Sequence, residues 1–292
     1  MVNLSQIELN AICNHLREEF PKNISRVYGG NIHSAWKIDF FEYSIFVKRN
    51  VRKNKLLEFE AHCLNNLIKY INPDKLISPK VLGYILINNI ELLLLEWIDF
   101  KNNNQRKLGQ GLAEMHLKSH KDNPTRFGYS IKGFIGESNQ MNGWDSKWSN
   151  CYIKLRLEPQ LNNLKINYID CKKFNKLKEK IEKVLLDHQP MNSLVHGDLW
   201  AGNVGIGDLG KGVIFDPACW WADCEVDIAM TRLFGSFNYE FYEEYYKVLP
   251  MKEGFEERCT IYNLYHVLNH ANMFGGFYLN QVNEYIEKII DF

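Results

Sequence analysis

Two short stretches decide the fold of this chain: they read Leu194-Val195-His196-Gly197-Asp198-Leu199-Trp200-Ala201-Gly202-Asn203 and Val213-Ile214-Phe215-Asp216. Each contains a run of apolar and β-branched residues, which predicts a β-strand. The residues between the runs are rich in glycine and aspartate, which predicts a hairpin. The side chains of Asp198, Asn203 and Asp216 are therefore expected to meet in one small region.

These three side chains have the chemistry of a catalytic and metal-binding loop. Asp198 follows a glycine at a strand end and can accept a proton from an attacking hydroxyl group. Asn203 offers a neutral oxygen ligand and Asp216 a charged one, and both suit a hard cation. A single Asp or Asn in a loop is usually a turn or capping residue, so the interpretation depends on the combination.

The pattern His-Gly-Asp-x-x-x-x-Asn, followed by an apolar strand that ends in Asp, resembles the catalytic and metal-binding loops of the kinase-like phosphotransferases, which include aminoglycoside and choline kinases. Phosphoryl transfer in this class needs an aligned nucleophile and magnesium to neutralise phosphate charge. The resemblance implies ATP and Mg²⁺ as cofactors. It also implies an α+β, bilobal, protein-kinase-like fold, with a small antiparallel β-sheet lobe that has one main helix and a larger, mostly helical lobe.

Hydrophobic periodicity along the chain agrees with this order of elements. The predicted helices cover residues 5–20, 56–67, 108–119, 148–157, 174–186, 237–248 and 257–274, and the predicted strands cover 26–38, 43–48, 81–87 and 90–97. The polar run 101–106 reads as a linker. Residues 1–98 are therefore predicted to form a nucleotide-binding lobe that ends in a hinge, and residues 99–292 a catalytic and substrate-binding lobe.

Lys48 and Glu60 are predicted to form a buried ion pair. Kinase-like folds need a lysine from the small lobe and a glutamate that orients it. Lys48 ends the apolar run Ser44–Val47, and Glu60 lies on the inward face of the next predicted helix. A carboxylate on a buried face is costly unless it meets a cation, so one pair explains both positions. The alternative is a surface lysine and a glutamate at the edge of the helix face.

Two further segments fall where kinases contact the nucleotide. Gly29-Gly30 lies ahead of Lys48 and could cover ATP phosphates with backbone amides, although a Gly-Gly pair alone usually marks a turn. Glu96, Trp97 and Ile98 come at the end of the last small-lobe strand, where kinases place the hinge that contacts adenine. A strand that simply leaves its sheet fits the same residues.

A closer resemblance is to the fructosamine kinase (ketosamine 3-kinase) family. It rests on the runs His196–Asn203, Phe215-Asp216-Pro217-Ala218 and Glu225–Gly235, with support from Phe127-Gly128, Arg156-Leu157 and Leu268-Asn269-His270. The resemblance implies ATP-dependent phosphorylation of the sugar O3 of ketosamines such as ribulosamine, erythrulosamine or fructosamine, and hence deglycation of proteins or amino acids. It implies that Asp198 accepts the proton, that Lys48 contacts phosphates, and that Asn203 and Asp216 hold magnesium.

Other interpretations stay open at this point. The same core motif serves kinases of other small hydroxyl compounds, such as aminoglycosides or choline, because fold does not determine substrate. A nucleotide-binding scaffold without catalysis is a third possibility, although a scaffold has no use for a proton acceptor.

The sequence allows two interpretations of several other polar and aromatic residues. Asp227 either braces the catalytic loop or is an ordinary carboxylate in the first turn of a helix. His116 reads as a core histidine. Five further side chains could belong either to the core or to a substrate pocket: Trp148, Trp220, Trp221, His266 and His270.

The bulk composition excludes some classes of partner. Equal numbers of basic and acidic residues, 35 of each, give a formal net charge of +0, so there is no electrostatic argument for nucleic acid or an anionic membrane. Seven cysteines without a Cys-x-x-Cys pair indicate reduced thiols. Neither a signal-peptide pattern nor a membrane-length apolar run is present. We expect a cytoplasmic monomer whose partner is a small molecule.

Overall fold

The computed structural model describes residues 3–28, 34–52, 54–101, 104–123, 125–164 and 171–292. Within them the helices are α1 (Gln6–Leu16), α2 (Leu56–Leu67), α3 (Arg106–His120), α4 (Trp148–Tyr152), α5 (Glu158–Asn163), α6 (Cys171–Leu186), α7 (Glu225–Met230), α8 (Tyr239–Val248), α9 (Phe255–Phe274) and α10 (Phe277–Ile290). The strands are β1 (Asn23–Val27), β2 (Ser34–Asp39), β3 (Ser44–Asn50), β4 (Leu76–Ile77), β5 (Val81–Ile87), β6 (Ile90–Glu96), β7 (Phe127–Gly128), β8 (Gly133–Ile135), β9 (Ser138–Gln140), β10 (Trp144–Asp145), β11 (Asn192–Val195), β12 (Val204–Ile206), β13 (Gly212–Ile214) and β14 (Trp220–Asp223). The chain is of the mixed α+β class, as predicted.

An antiparallel sheet in the order β1-β2-β3-β6-β5 dominates the first hundred residues. The middle of strand β6, Leu92–Leu95, is apolar because both of its faces are covered. Leu92 and Leu94 join a hydrophobic cluster with α1, whereas Leu93 and Leu95 join a second, larger cluster that contains α2. Alternate residues of a strand point to opposite faces, so the two helices lie on opposite sides of this sheet.

Helix α1 begins as predicted and ends earlier. Ser5 and Glu8 form a capping box, in which Ser5 N donates to the Glu8 carboxylate and Glu8 N donates to the Ser5 hydroxyl. The helix ends at Leu16 because Arg17 takes a left-handed conformation with φ 59°. The predicted extension to Phe20 is therefore wrong, and Phe20 is exposed.

A hairpin of β12 and β13 pairs in parallel with the two-residue strand β4, which comes from before residue 98. Helix α3 packs tightly over this small sheet. A Cβ atom on Gly111 would lie 2.6 Å from Leu76 Cβ, and one on Gly212 would lie 2.6 Å from Leu108 Cα. Glycine is required at both positions because no larger residue fits between the helix and the strands.

Strand β11 leads directly into the His196-Gly197-Asp198 run and pairs with β14. Strand β14 was not predicted, because its four residues, Trp-Trp-Ala-Asp, show no alternation of apolar and polar side chains. Helix α10 was also missed, although the buried positions Val282, Ile286 and Ile289 recur at helical spacing. The predicted helix at 148–157 is longer, because α4 continues through a π-helical turn, Ile153–Leu157, into α5.

The larger hydrophobic cluster crosses the predicted lobe boundary at residue 98. It contains Leu64 and Leu93 from before that point and Leu112 and Ile214 from after it. The division into lobes of residues 1–98 and 99–292 stays a prediction. No helix in the described part of the chain is both long enough and apolar enough to cross a membrane.

Candidate active site

One cleft of about 670 Å³ contains most of the predicted site. Eight of the predicted residues line it: Lys48, Glu60, Glu96, Trp97, Ile98, Asp198, Asn203 and Asp216. The other two, Gly29 and Gly30, lie outside the described residues. The structure therefore brings together side chains that were separated by up to 168 positions in the sequence.

The predicted pair of Lys48 and Glu60 is present at the centre of the cleft. Lys48 Nζ lies 2.8 Å from Glu60 Oε1 and also contacts Asp216 Oδ1. The side chains of Lys48 and Glu60 are each 7% exposed. Burial lowers the pKa of Lys48, but the charges of Asp216 and Glu60 outweigh it and raise the pKa above its usual value. The lysine is therefore a fixed cation at neutral pH.

Helix α2, which carries Glu60, is held at its N-terminus by a residue that sequence reasoning missed. Its N-cap residue, Lys55, makes no side-chain capping bond. Instead Glu91 of β6 accepts hydrogen bonds from the backbone N–H groups of Leu57 and Glu58, at 3.1 and 3.3 Å. A carboxylate at this end of a helix satisfies free N–H groups and favours the helix dipole.

Asp198 and Asn203 are hydrogen-bonded to each other beside the cleft. Asn203 Nδ2 donates to the Asp198 carbonyl at 2.9 Å and to its Oδ2 atom at 3.1 Å. Burial and then the charge of Asp216 raise the pKa of Asp198 to about 7, against the opposing bond from Asn203. A carboxyl group with a raised pKa is a stronger base than an ordinary aspartate, which suits a proton acceptor.

The backbone of the His196-Gly197-Asp198 turn requires glycine. Gly197 has φ 82°, and a Cβ atom there would lie 2.2 Å from the Ala218 carbonyl oxygen. Two hydrogen bonds hold the loop against the segment after β13: Ala218 N donates to the His196 carbonyl, and His196 Nε2 donates to the Phe215 carbonyl, both at 2.9 Å. The positions of Asp198 and Asp216 are therefore coupled.

Asp227 supports this loop, which is the first of the two roles considered for it from the sequence. Its carboxylate accepts from His196 N at 2.7 Å and from Gly197 N at 2.9 Å, rather than from its own helix. His116 Nε2 donates to the same carboxylate at 3.1 Å. Burial raises the pKa of Asp227, but the bond and charge of His116 outweigh it and hold the pKa below its usual value. His116 is buried, as predicted, and supports the loop through Asp227.

The end of β6 and two phenylalanines contribute to the lining of the cleft. Glu96, Trp97 and Ile98 line it where β6 ends. Phe100 and Phe215 stack there with ring centres 5.6 Å apart, and both rings line the cleft. Aromatic rings in this position offer an apolar surface to an aromatic base.

Further aromatic residues that line the cleft come from α9, α10 and the preceding loops. They are Trp200, Phe234, His270, Phe274 and Tyr278. Of the five side chains whose role was open, only His270 lines the cleft. Trp148 and Trp220 stack on each other in the core, and Trp221 packs edge-on against Tyr70. His266 is buried behind Asp198.

Comparison with known proteins gives the family. A family model described as fructosamine kinase matches residues 6–292. The chain belongs to the fructosamine kinase family. A Vibrio vulnificus protein that carries the name ketoamine kinase is 37% identical over 271 residues, which cover 90% of this chain and 91% of that protein. Membership makes the chain a phosphotransferase with an alcohol group as acceptor.

Solved structures confirm the kinase-like fold. A Haemophilus somnus protein that carries the name fructosamine-3-kinase superposes with a TM-score of 0.85 at 27% identity, over 96% of both chains. A mutant of the aminoglycoside phosphotransferase APH(4)-Ia, in complex with ADP and hygromycin B, superposes with a TM-score of 0.64 at 13% identity, over 97% of both chains. At this identity the second likeness shows the fold alone.

Proposed function

We propose that this chain is an ATP- and magnesium-dependent kinase that phosphorylates the O3 hydroxyl of a ketosamine. The observation that carries the proposal is the cleft in which Lys48, Glu60 and Asp216 are in contact while Asp198 and Asn203 face the same space. This set contains a fixed cation for phosphate, a proton acceptor and two oxygen donors for a hard metal ion. Membership of the fructosamine kinase family supports the reaction and the type of acceptor.

Asp198 is the proposed proton acceptor. The turn at Gly197 and the two bonds to Asp227 fix its backbone, and Asn203 fixes one carboxylate oxygen. Transfer of the phosphoryl group to a hydroxyl oxygen releases the hydroxyl proton, and a carboxylate placed here takes it up. Such positioning matters because phosphoryl transfer needs alignment more than covalent participation by the protein.

Asn203 and Asp216 would hold the magnesium. Asn203 uses its Nδ2 atom for both bonds to Asp198, so its carbonyl oxygen takes no part in them. The Asp216 side chain is 42% exposed to the cleft, although one oxygen contacts Lys48. An amide oxygen and a carboxylate are suitable ligands for a hard cation, so the residues fit the ion. When bound, magnesium neutralises charge on the phosphates.

Lys48 and the end of β6 would bind the nucleotide. The Lys48 ammonium group, oriented by Glu60, offers a fixed positive charge to phosphate oxygens. Phe100, Phe215 and the 96–98 segment, which line the cleft, offer a largely apolar surface to adenine. A bound ADP in the APH(4)-Ia relative shows that this fold accommodates an adenine nucleotide. The proposed cover of the phosphates by Gly29 and Gly30 stays a prediction.

The proposed acceptor is a small ketosamine, with ribulosamines and erythrulosamines used at least as well as fructosamines. A ketosamine carries a secondary hydroxyl group beside a carbonyl, which lowers the pKa of that hydroxyl, so one carboxylate base is sufficient. Phosphorylation at O3 makes that oxygen a good leaving group next to an acidified carbon. Enolisation towards C1 then expels inorganic phosphate from C3, and hydrolysis of the resulting imine by water releases the amine, which is deglycation. A cytoplasmic location, a monomeric state and the absence of nucleic-acid and membrane partners stay predictions.

A coupled assay of ADP formation tests this proposal. Ketosamines, the matching free sugars, choline and kanamycin are compared at equal concentration, and NMR identifies the phosphorylated oxygen. We expect rapid turnover with ketosamines and a phosphate on O3. Rapid use of choline or kanamycin with no use of any ketosamine would reject the substrate. ATP binding without turnover of any acceptor would instead favour the scaffold.

A further inference from the structure

His266, on helix α9, is a buried polar side chain without a structural partner. The residue is 1% exposed. Within the described part of the chain, neither of its imidazole nitrogens makes a hydrogen bond. A buried donor or acceptor left unsatisfied costs about 1–3 kcal/mol, so native proteins keep few of them. Packing alone does not account for a histidine here, because a phenylalanine would fill similar space without this cost.

The unpaired imidazole faces the proposed base. His266 Nδ1 lies 4.0 Å from Asp198 Oδ1. The other carboxylate oxygen, Oδ2, already accepts from Asn203 Nδ2. Oδ1 is therefore the atom that needs a second donor if the carboxylate is to be held at both ends. A carboxylate favours the tautomer with the proton on Nδ1, because the other tautomer directs a lone pair at a negative charge.

The imidazole is a neutral donor in this position. Burial, and then the neighbouring His270, lower the pKa of His266 to about 3. The ring consequently stays uncharged over the pH range in which a kinase works, and it can donate one proton without changing the charge of the site.

We propose that His266 is a positioning residue for Asp198: its Nδ1–H group donates to Asp198 Oδ1 in the substrate-bound enzyme and fixes the carboxylate against the acceptor hydroxyl. This inference rests on the proposed function, in which Asp198 is the proton acceptor. The Asp198 side chain is 22% exposed, which leaves it room to turn. A movement of about 1 Å gives the length of a charge-assisted bond, and catalytic hydrogen bonds are often long until substrate binds.

The first test is His266→Phe, which keeps a ring of similar size and removes both nitrogens. Because two unsatisfied buried atoms disappear, we expect an unchanged or higher Tm. Because the donor to Asp198 disappears, we expect kcat to fall by about 10-fold or more, with the KM for ATP unchanged. A His266→Phe protein with the parent kcat would overturn the proposal, as would a loss confined to KM.

A second, matched pair of variants separates the donor from the packing. His266→Asn and His266→Leu have nearly the same shape and remove the same part of the ring, but only asparagine keeps an N–H group near the position of Nδ1. We expect kcat of His266→Asn to exceed that of His266→Leu by about 10-fold, the size of one hydrogen bond to a charged group. Equal kcat values for the two variants would show that only packing matters.

These outcomes are distinguishable from a failure of the proposed function. If Asp198→Asn is inactive while His266→Phe keeps its kcat, the base assignment stands and only the role of His266 is wrong. If the parent enzyme phosphorylates no acceptor, the proposed function itself fails.

Discussion

At the scale of single residues, Asp198 determines whether the reaction occurs. Asp198→Asn keeps the shape of the side chain and removes its ability to accept a proton. We expect turnover to fall by about 10²–10⁴, the usual contribution of a positioned general base, with ATP affinity unchanged. Steady-state kinetics and nucleotide titration measure both quantities. Near-normal turnover in the folded variant would remove Asp198 from the mechanism.

The pair of Lys48 and Glu60 gives a prediction that separates stability from activity. Lys48→Met leaves a carboxylate that is 7% exposed without its cation, so we expect the free energy of unfolding to fall by about 3–5 kcal/mol. Adding Glu60→Leu removes the unpaired carboxylate and should recover most of the lost free energy of unfolding. Neither variant should turn over ATP, because the cation for phosphate is absent from both. Denaturant titration and the ADP assay measure the two effects.

A double variant as unstable as Lys48→Met alone would show that the charge of Glu60 is tolerated without its partner. The same result would mean that Lys48 and Glu60 do not stabilise the fold as a pair.

Asp216 allows a test of the metal that avoids backbone strain. The residue has φ 58°, a conformation that asparagine tolerates better than alanine does. Asp216→Asn should therefore fold normally and need a higher magnesium concentration for half-maximal activity, because the full charge is lost. Asn203→Ala should shift the same titration less. Magnesium curves that overlay the parent's for both variants would reject the two ligands.

Much of the site could be predicted at this scale, because its residues form short patterns. His196-Gly197-Asp198 and the position of Glu60 on a buried helix face are readable along the chain. Glu91 and His266 were not assigned roles, because their function depends on partners 34 and 68 positions away: the backbone of Leu57 and the carboxylate of Asp198. Only the assembled fold shows such contacts.

At the scale of elements, helix α7 holds the catalytic loop through Asp227, and this bond should respond to pH. The pKa of Asp227 is below its usual value of 3.8, so its contribution to stability is complete above that value and is lost as pH falls through the lower folded-state pKa. When the pH is lowered from 5, we therefore expect the free energy of unfolding to decrease less for Asp227→Asn than for the parent. Denaturant titration at several pH values measures it.

The matched control is Asp208→Asn, on a side chain that is 72% exposed. It should follow the parent's acid dependence. An Asp227→Asn protein with the parent's slope would mean that other carboxylates cause the acid sensitivity. Asp227→Asn should also lower kcat, because His196 N and Gly197 N donate to different oxygens of Asp227 and an amide has only one acceptor oxygen.

Elements with a clear period were predicted well, and those made by pairing were not. Helix α9 was expected to start at Glu257 and starts at Phe255, within the usual uncertainty of a helix boundary. Strand β14 was missed because its four residues show no alternating pattern, so only its pairing with β11 identifies it as a strand. The early end of α1 came from one left-handed residue, Arg17, which no periodicity indicates.

At the scale of the whole molecule, the parallel pair of β4 with β13 and the shared hydrophobic cluster join the two predicted lobes. We therefore expect one cooperative thermal transition, with equal calorimetric and van't Hoff enthalpies. Magnesium and ATP should shift this transition as a unit, since a ligand of the native state stabilises the whole cooperative body. Two resolved transitions in the calorimeter would show instead that the lobes unfold independently.

The close packing of α3 on β4 also limits how genes of this family can recombine. Gly111 leaves no space beside Leu76. In a chimera of two family members, the residues at positions 76 and 111 therefore have to come from the same family member. A crossover between these codons joins halves that were selected separately. In a library of chimeras with the Vibrio vulnificus relative, breakpoints between positions 76 and 111 should be depleted among folded progeny whenever the second parent lacks this glycine.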